Sequence, residues 1–440
     1  MKDYYIPEQP TEKAFLVGVN IRGSRPLLSV ESSLEELSLL ADTAGMVVVG
    51  QASQNVQNID PATFVGAGKV EEIRESLEST QAKVVIFDDE LSPRHQRELE
   101  KRLGQEIKVL DRSALILDIF AQHAQTREGS LQVELAQYEY RLPRLTRQWT
   151  HLARQAGGGG SRSGNAGVGL RGPGETQLEV DRREIGRKIA KLKDDLEQVR
   201  QHRSRYRMQR TRTGIPVVSI VGYTNAGKST LLKTLTGADV YTADQVFATL
   251  DPTTRKITLP SNREILLTDT VGFIQKLPTT LIAAFRATLE EVAEADLLLH
   301  VVDVSHPNVL QHIESVEDTL AEIDVPAIPR ILVWNKIDRW DGETMPSISE
   351  ISDGYDMEVA ISAHKAVGIP TLLDAIESVL QRQLCYATLL LPYQRGDLVA
   401  QLFTMGNVES QEHTQDGVLL KVQMPQTLYG RFKEYEVKGE

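Results

Sequence analysis

Over the first 125 residues short apolar runs alternate with amphipathic stretches. AFLVGVNI (14–21), MVVVG (46–50), KVVIFDDE (83–90) and IKVLD (107–111) are rich in β-branched residues and bounded by turn formers, the pattern of strands. Between them SSLEELSLLADTAG and SPRHQRELEKRLG carry helical spacing. The second is punctuated at both ends, with Ser92 as N-cap, Pro93 at the first helical position and Gly104 as the stop. Residues 1–125 are thereby predicted to form a small α/β domain with a mostly parallel sheet.

The period then changes. Leu131, Leu135, Tyr138, Leu142, Leu145, Trp149 and Leu152 recur at steps of four and three, and Ile185, Ile189, Leu192, Leu196 and Val199 repeat the pattern. A narrow seam of this kind predicts two helices over 126–212, folded back as an antiparallel hairpin with Trp149 in its core. Pro143 conflicts with one continuous first helix, because an interior proline kinks or ends a helix. The loop joining them, 157–177, has nine glycines in its first 18 positions. It reads as a flexible linker by composition, or, with Arg162 and Arg171 at a hairpin tip, as an element inserted into a polyanion.

From Val217 to about Gln383 the runs VVSIVGY, EILLTDT, DLLLHVVDVS, RILVWNKID and MEVAISAH restore the alternation, predicting a doubly wound α/β domain over 213–383. In 384–440 a strand YATLLL, a helix GDLVAQLFTMG, a strand VLLKVQM and a last helix predict a small α/β appendix. The chain shows no internal repeat.

Composition alters this picture at one point. The 440 residues carry a formal charge of −12, yet 141–212 hold 18 Lys and Arg against 7 Asp and Glu. That local +11 leaves −23 on the remainder, a directed basic footprint on an acidic protein. The lone Cys385 excludes an internal disulfide and reads as a small apolar residue. No apolar run approaches the roughly 18–20 residues of a membrane span, and MKDYYIPEQP lacks the apolar core of a signal peptide, so a cytoplasmic protein is expected.

The chemistry concentrates between Gly222 and Lys365. Gly222, Tyr223, Thr224, Asn225, Ala226, Gly227, Lys228 and Ser229 match G-x-x-x-x-G-K-[ST] between a predicted strand and helix, with Thr230 next in line. The glycines let backbone N–H groups wrap phosphates, Lys228 is expected to reach the β- and γ-phosphates, and Ser229 to ligate Mg²⁺. Asn335, Lys336, Ile337 and Asp338 come directly after the strand RILVW. A carboxylate at Asp338 can accept from both N1–H and the 2-amino group of guanine, a donor pair adenine lacks, and the Lys336 stem can lie along the base. Ser362, Ala363 and His364, before Lys365, would close the pocket. Asp269, Thr270, Val271 and Gly272 end the strand EILLTDT. Asp269 would hold the Mg²⁺ shell through water, and the Gly272 N–H would meet the γ-phosphate, making the next segment of chain a switch. A Mg²⁺-sensing hydroxyl belongs before strand KITLP; Thr249, within Phe247, Ala248, Thr249, Leu250 and Asp251, is the candidate, with Thr253 and Thr254 as rivals. Phe273 stands where a water-orienting glutamine is common, so hydrolysis is expected to depend on something external. Asn225 either holds K⁺ near the phosphates or only shapes the loop.

Three other features read as non-chemical. Gly66, Ala67, Gly68 and Lys69 lack the spacing of a phosphate loop, His300 reads as a satisfied core histidine, and Asp88, Asp89 and Glu90 at a strand end read as an exposed acidic turn in preference to a cation site.

RLPRLTRQWTHLARQ (141–155), RGPGETQLEVDRR (171–183), FATLDPTTR (247–255), DTVGFIQKLP (269–278) and LIAAFRATLEEVAEADLLLHVVDVS (281–305) together resemble the HflX family of ribosome-associated GTPases, across nearly the whole chain. The resemblance implies an N-terminal domain, a helical hairpin, a P-loop GTPase domain and a short C-terminal domain. It implies GTP and Mg²⁺ as ligands, binding to the large (50S) ribosomal subunit with the hairpin and its tip approaching rRNA, and GTP-dependent ribosome dissociation or rescue. Thr249 as the switch I ligand, and Phe273 as an ordinary occupant of its position, are also what the resemblance implies. A precursor 50S particle or a recruited protein partner are the competing targets; no DNA is expected, and a monomer is.

Overall fold

The computed structural model describes residues 12–24, 26–147, 173–213, 215–237, 246–247, 249–277, 292–323, 325–342, 354–382, 384–405 and 407–437. By contacts the chain divides into two compact units. The first takes the described residues up to Gln198 with those of 244–250 and 274–286, and the second takes the others.

In the first unit, strands β1 (Lys13–Ile21), β2 (Val47–Val56), β3 (Val84–Phe87) and β4 (Lys108–Asp111) form an all-parallel sheet in the order β2-β1-β3-β4. The helices α1 (Val30–Thr43), α2 (Ala67–Thr80), α3 (Pro93–Leu103) and α4 (Arg112–His123) come after the four strands in turn. All four residues of β3 are buried, as expected of a parallel strand covered on both faces. Phe15, Val17, Val85 and Phe87 pack against Ile73, Leu77 and Leu99. The expected cap of α3 is present: Ser92 Oγ accepts from the His95 N–H at 3.2 Å, Pro93 opens the helix and Gly104 stops it. Helices α2 and α4 are not announced by the pattern of the sequence. Asp111 both ends β4 and caps α4 through Ala114, so strand passes to helix with no loop to mark the boundary.

One expectation fails here. Asp88 is not part of an exposed acidic turn but is 2% exposed. Its carboxylate accepts from Ser33 Oγ at 2.7 Å, Arg112 at 2.8 Å and Lys276 at 2.5 Å, and Asp89 accepts from Lys276 at 2.7 Å. Cations from distant parts of the sequence make that burial tolerable, while burial itself still pushes the Asp88 carboxyl upward. Lys69 is engaged locally, pairing with Glu72 at 2.7 Å.

Helix α5 (Arg127–Arg141) stops where Pro143 dictates. Leu142–Arg147 tightens to a 3-10 turn, since proline has no N–H for the carbonyl of Glu139. Leu145 therefore lies beyond the helix, and Trp149 and Leu152 lie outside the described residues. Helix α6 (Pro173–Thr213) is 41 residues long and starts at a proline, taking in the last five positions expected to be loop. Residues 157–172 are outside the described set. Leu192 is the buried member of the second seam, and beside it Lys193 pairs with Glu139 at 2.9 Å.

In the second unit, β5 (Val217–Val221), β6 (Thr253–Thr258), β7 (Glu264–Asp269), β8 (Leu297–Asp303), β9 (Arg330–Asn335) and β10 (Met357–Ala360) order as β10-β9-β8-β5-β7-β6. All pair parallel except the edge strand β6. Helices α7 (Lys228–Thr236), α8 (Val309–Glu322) and α9 (Ile369–Arg382) belong to the same unit. Strand order reverses beside β5, so the carboxyl ends of β5 and β8 frame the position where such sheets bind ligands. A second, antiparallel sheet β11-β13-β12 comes next, from β11 (Leu384–Leu391), β12 (Asn407–His413) and β13 (Val418–Pro425). Helices α10 (Gly396–Met405) and α11 (Gln426–Phe432) supply Leu398, Leu402 and Phe432 to its core. Strand β12 is not predicted from the sequence, because NVESQEH has too few apolar residues to show alternation.

Candidate active site

Strand β5 leads directly into Gly222, whose φ of 150° and crowding admit no side chain: a Cβ there would lie 2.2 Å from the Val301 carbonyl oxygen. Gly227 is equally constrained, at φ 96°, where an added Cβ would lie 2.3 Å from Asn335 Nδ2. Between them the loop turns through Asn225 at φ 59° and enters α7 at Lys228, leaving the first N–H groups of that helix without intrahelical acceptors. Such a terminus is a ready anion site.

Lys228 is 6% exposed and donates to the carbonyls of Gly222 at 3.0 Å and Tyr223 at 2.7 Å. Burial pulls its ammonium down to about 8; Asp269 opposes this and Lys336 adds to it. Ser229 Oγ donates to Asp269 Oδ2 at 2.7 Å. A hydroxyl and a carboxylate at that separation are hard oxygen donors of the kind Mg²⁺ takes, with water or phosphate oxygens to complete its shell. Among the described residues no cluster of three His, Cys, Asp or Glu suits a metal.

The segment after β7 lies directly on the phosphate loop. Thr270 Oγ1 donates to the Ile220 carbonyl at 2.7 Å. A Cβ on Gly272 would come within 2.9 Å of Thr224 Cγ2 and 3.1 Å of Lys228 Nζ. Phe273 N–H donates to the Gly222 carbonyl at 3.1 Å, and Thr224 N–H donates to the Phe273 carbonyl at 2.7 Å. The Phe273 ring is 2% exposed. The side chain that replaces a water-orienting amide is therefore packed inward.

At the base end, Asn335 joins three motifs. Its Nδ2 donates to the Ala226 carbonyl at 2.8 Å, and its Oδ1 accepts from the Ala363 N–H at 2.9 Å. Asp338 Oδ1 accepts from Ser362 Oγ at 2.6 Å, the main reason its carboxyl lies below the usual range, and Ser362 Oγ accepts in turn from the Lys365 N–H at 3.1 Å. His364 is exposed beside them. Gly222 to Thr230, Asp269 to Gly272, Asn335 to Asp338 and Ser362 to His364 thus all stand at the carboxyl ends of β5, β7, β9 and β10.

The remaining expected residues behave differently. Phe247, at φ 59°, buries its ring edge-on against Phe120 with centroids 4.5 Å apart in the first unit. Leu250 is 2% exposed, Thr249 is half-buried, and Ala248 is outside the described residues. Thr253 and Thr254 are committed to β6, where Thr254 Oγ1 shares a hydrogen bond of 3.0 Å with Thr268 Oγ1. That leaves Thr249 as the threonine of the three outside a strand.

Sequence reasoning missed two groups. Asp303, the last residue of β8, holds Lys336 Nζ at 2.8 Å. Tyr223 of the phosphate loop stacks on His312 of α8, with centroids 3.9 Å apart and planes 5° from parallel. Burial, with His306 adjacent, pulls His312 down to about 3. An acidic residue at the end of an apolar strand is the one available signal for Asp303; nothing local marks His312. His300 is buried as expected, with Nδ1 2.6 Å from Tyr355 Oη, but its Nε2 has no hydrogen-bond partner among the described residues.

The chain is similar to known proteins over most of its length. Residues 31–121 match a family described as GTP-binding GTPase N-terminal, 123–210 one described as GTP-binding GTPase middle region, and 217–336 one described as 50S ribosome-binding GTPase. GTPase HflX of Caldanaerobacter subterraneus is 45% identical over 405 residues, 92% of this chain and 90% of that protein. GTPase HflX of Escherichia coli is 44% identical over 415 residues, 94% of each. A solved complex of SsGBP with GDP is 26% identical with a TM-score of 0.47, covering 84% of this chain and 99% of that one.

Proposed function

The chain belongs to the HflX family of GTPases and is a GTP hydrolase, and on that premise we propose that it couples its nucleotide state to the large ribosomal subunit. The observation that carries the nucleotide half is the Asn335 bridge, which brings phosphate loop, base motif and closing loop to one place. Asp338 pairs with the guanine edge and the Lys336 stem covers one face of the ring. Residues 222–230 wrap the phosphates, and Lys228 neutralises the β- and γ-oxygens. Ser229 and Thr249 would hold Mg²⁺, with Asp269 acting through water, and the ion would supply charge neutralisation during phosphoryl transfer. The Gly272 N–H senses the γ-phosphate. Asn225 offers an amide oxygen for K⁺.

The inward packing of Phe273 supports external completion of the catalytic site, since a phenyl ring cannot orient water by hydrogen bonding. The basic segment 141–212, read as a helical arm with a glycine-rich tip, supports phosphate-backbone contact with rRNA, and the match to a family described as 50S ribosome-binding supports the same target. Among the described residues no helix is long and apolar enough to cross a membrane. A monomer acting in the cytoplasm, dissociating or rescuing ribosomes, completes the proposal.

The test is the GTP hydrolysis rate with and without 50S subunits, for the full chain and for one lacking 157–174. Strong stimulation that is lost with the deletion, and that weakens with rising salt, is the expected result. A rate indifferent to 50S sinks the ribosomal reading, and stimulation by precursor particles alone redirects it to assembly.

A further inference from the structure

Asp303 ends β8 as the register partner of Asn335 on β9, so it lies beside the base motif by sheet pairing alone. Its two carboxylate oxygens do different things. Oδ1 accepts from the Ser305 N–H at 3.1 Å and Ser305 Oγ at 2.6 Å, which holds the carboxylate still. Oδ2 is left for Lys336 Nζ at 2.8 Å. The two side chains of this pair, Lys336 and Asp303, are 17% and 16% exposed, so solvent screens it much less than a surface ion pair.

Lys336 has two features that need such a partner. Its backbone sits at φ 64°, a left-handed conformation that costs a residue with a Cβ and persists only where the surroundings hold it. Its charge also reaches the buried Lys228, whose ammonium it disfavours. A lysine that is to lie flat along a purine must have its long, rotamer-rich stem ordered before the base arrives, or binding bears that ordering cost.

We propose that Asp303 is a positioning residue for guanine-nucleotide binding: by anchoring the Lys336 ammonium at its far end, it lays the aliphatic stem out as one wall of the base pocket. Asp303 does not touch the nucleotide. It acts on ring stacking and not on edge recognition, and it acts equally whatever the number of phosphates. The proposal rests on the reading of Asn335 to Asp338 as the base site.

Titration of the full chain with fluorescent GDP and GTP analogues tests it. Asp303→Asn should raise the Kd for both by the same factor, roughly tenfold for one charge-assisted bond in a part-buried setting. KM should rise in step while kcat at saturating GTP stays put. Lys336→Met keeps an apolar stem but no anchor, and should show the same loss. Combining the two should cost nothing further, because one interaction is being removed twice. ITP should weaken by the same factor as GTP in Asp303→Asn, whereas Asp338→Asn should change the guanine-over-hypoxanthine ratio. That last variant separates the proposal from its premise: an unchanged ratio means the base site lies elsewhere. Parent-like affinity in Asp303→Asn, multiplying losses in the double variant, or a loss for GTP that exceeds the loss for GDP overturns the proposal. If Asp303→Asn does not fold, parent-like GDP affinity in Lys336→Met overturns it alone.

Discussion

Asn335→Ala should unfasten the nucleotide site before any nucleotide arrives. The side chain is 2% exposed and makes two hydrogen bonds, to the Ala226 carbonyl at 2.8 Å and from the Ala363 N–H at 2.9 Å. Truncation leaves both backbone groups buried and unpaired, at about 1–3 kcal/mol each, so the loss falls at about 2–6 kcal/mol. For a domain of this size that corresponds to a melting temperature lower by on the order of 10 °C. Two of the chain's three tryptophans, Trp334 and Trp340, flank the motif, so intrinsic fluorescence in a urea or thermal titration reports on this domain. The measurement is made without nucleotide and then with saturating GDP. The deficit should be present in the free protein and persist in the complex. An unchanged free-protein transition, with only GDP affinity reduced, would refute the claim that the three motifs are laced together in advance.

Lys228 is held down to about 8 by burial, and bound phosphates should restore its charge, so GDP binding near pH 8.5 should take up protons. Calorimetry in buffers of different ionisation enthalpy reads this, and an uptake of zero contradicts it. His300 and His312 are both held down to about 3, so unfolding lets them charge. Their contribution to stability is therefore complete above pH 6.5 and falls as pH drops from there toward 3, by up to about 1.4 kcal/mol per unit for each histidine. Denaturant midpoints between pH 7 and 5 should fall accordingly, and His300→Gln should flatten the slope by one proton; equal slopes in variant and parent would exclude His300 as a contributor. Finally, if Asn225 holds a monovalent cation near the phosphates, turnover should be faster in K⁺ than in Na⁺ and the difference should vanish in Asn225→Ala. Equal rates in both salts would leave Asn225 a loop-shaping residue.

What the sequence determined by itself was local. Gly222 and Gly227 announced a phosphate loop because only glycine tolerates that backbone, and Ser92, Pro93 and Gly104 bounded a helix because caps depend on near neighbours. Short apolar, β-branched runs placed the strands whose ends carry the motifs, and with the HflX resemblance this was enough to name the enzyme class. Tertiary structure decided what depends on residues far apart in the chain. Asp88 reads as a surface acid until Arg112 and Lys276 meet it from 24 and 188 positions away. Asp303 and Lys336 become partners because β8 and β9 pair in a particular register, and Tyr223 acquires its stacking partner because α8 packs beside the phosphate loop. Pro143 shows the boundary between the two: its rule was legible, but the heptad seam argued the other way. The missing N–H ended the helix at Arg141 because a lost backbone hydrogen bond outweighs the partial burial of Leu145. Local backbone chemistry is written in consecutive letters, whereas the pairing of charges and rings is settled by the packing that brings their strands and helices together.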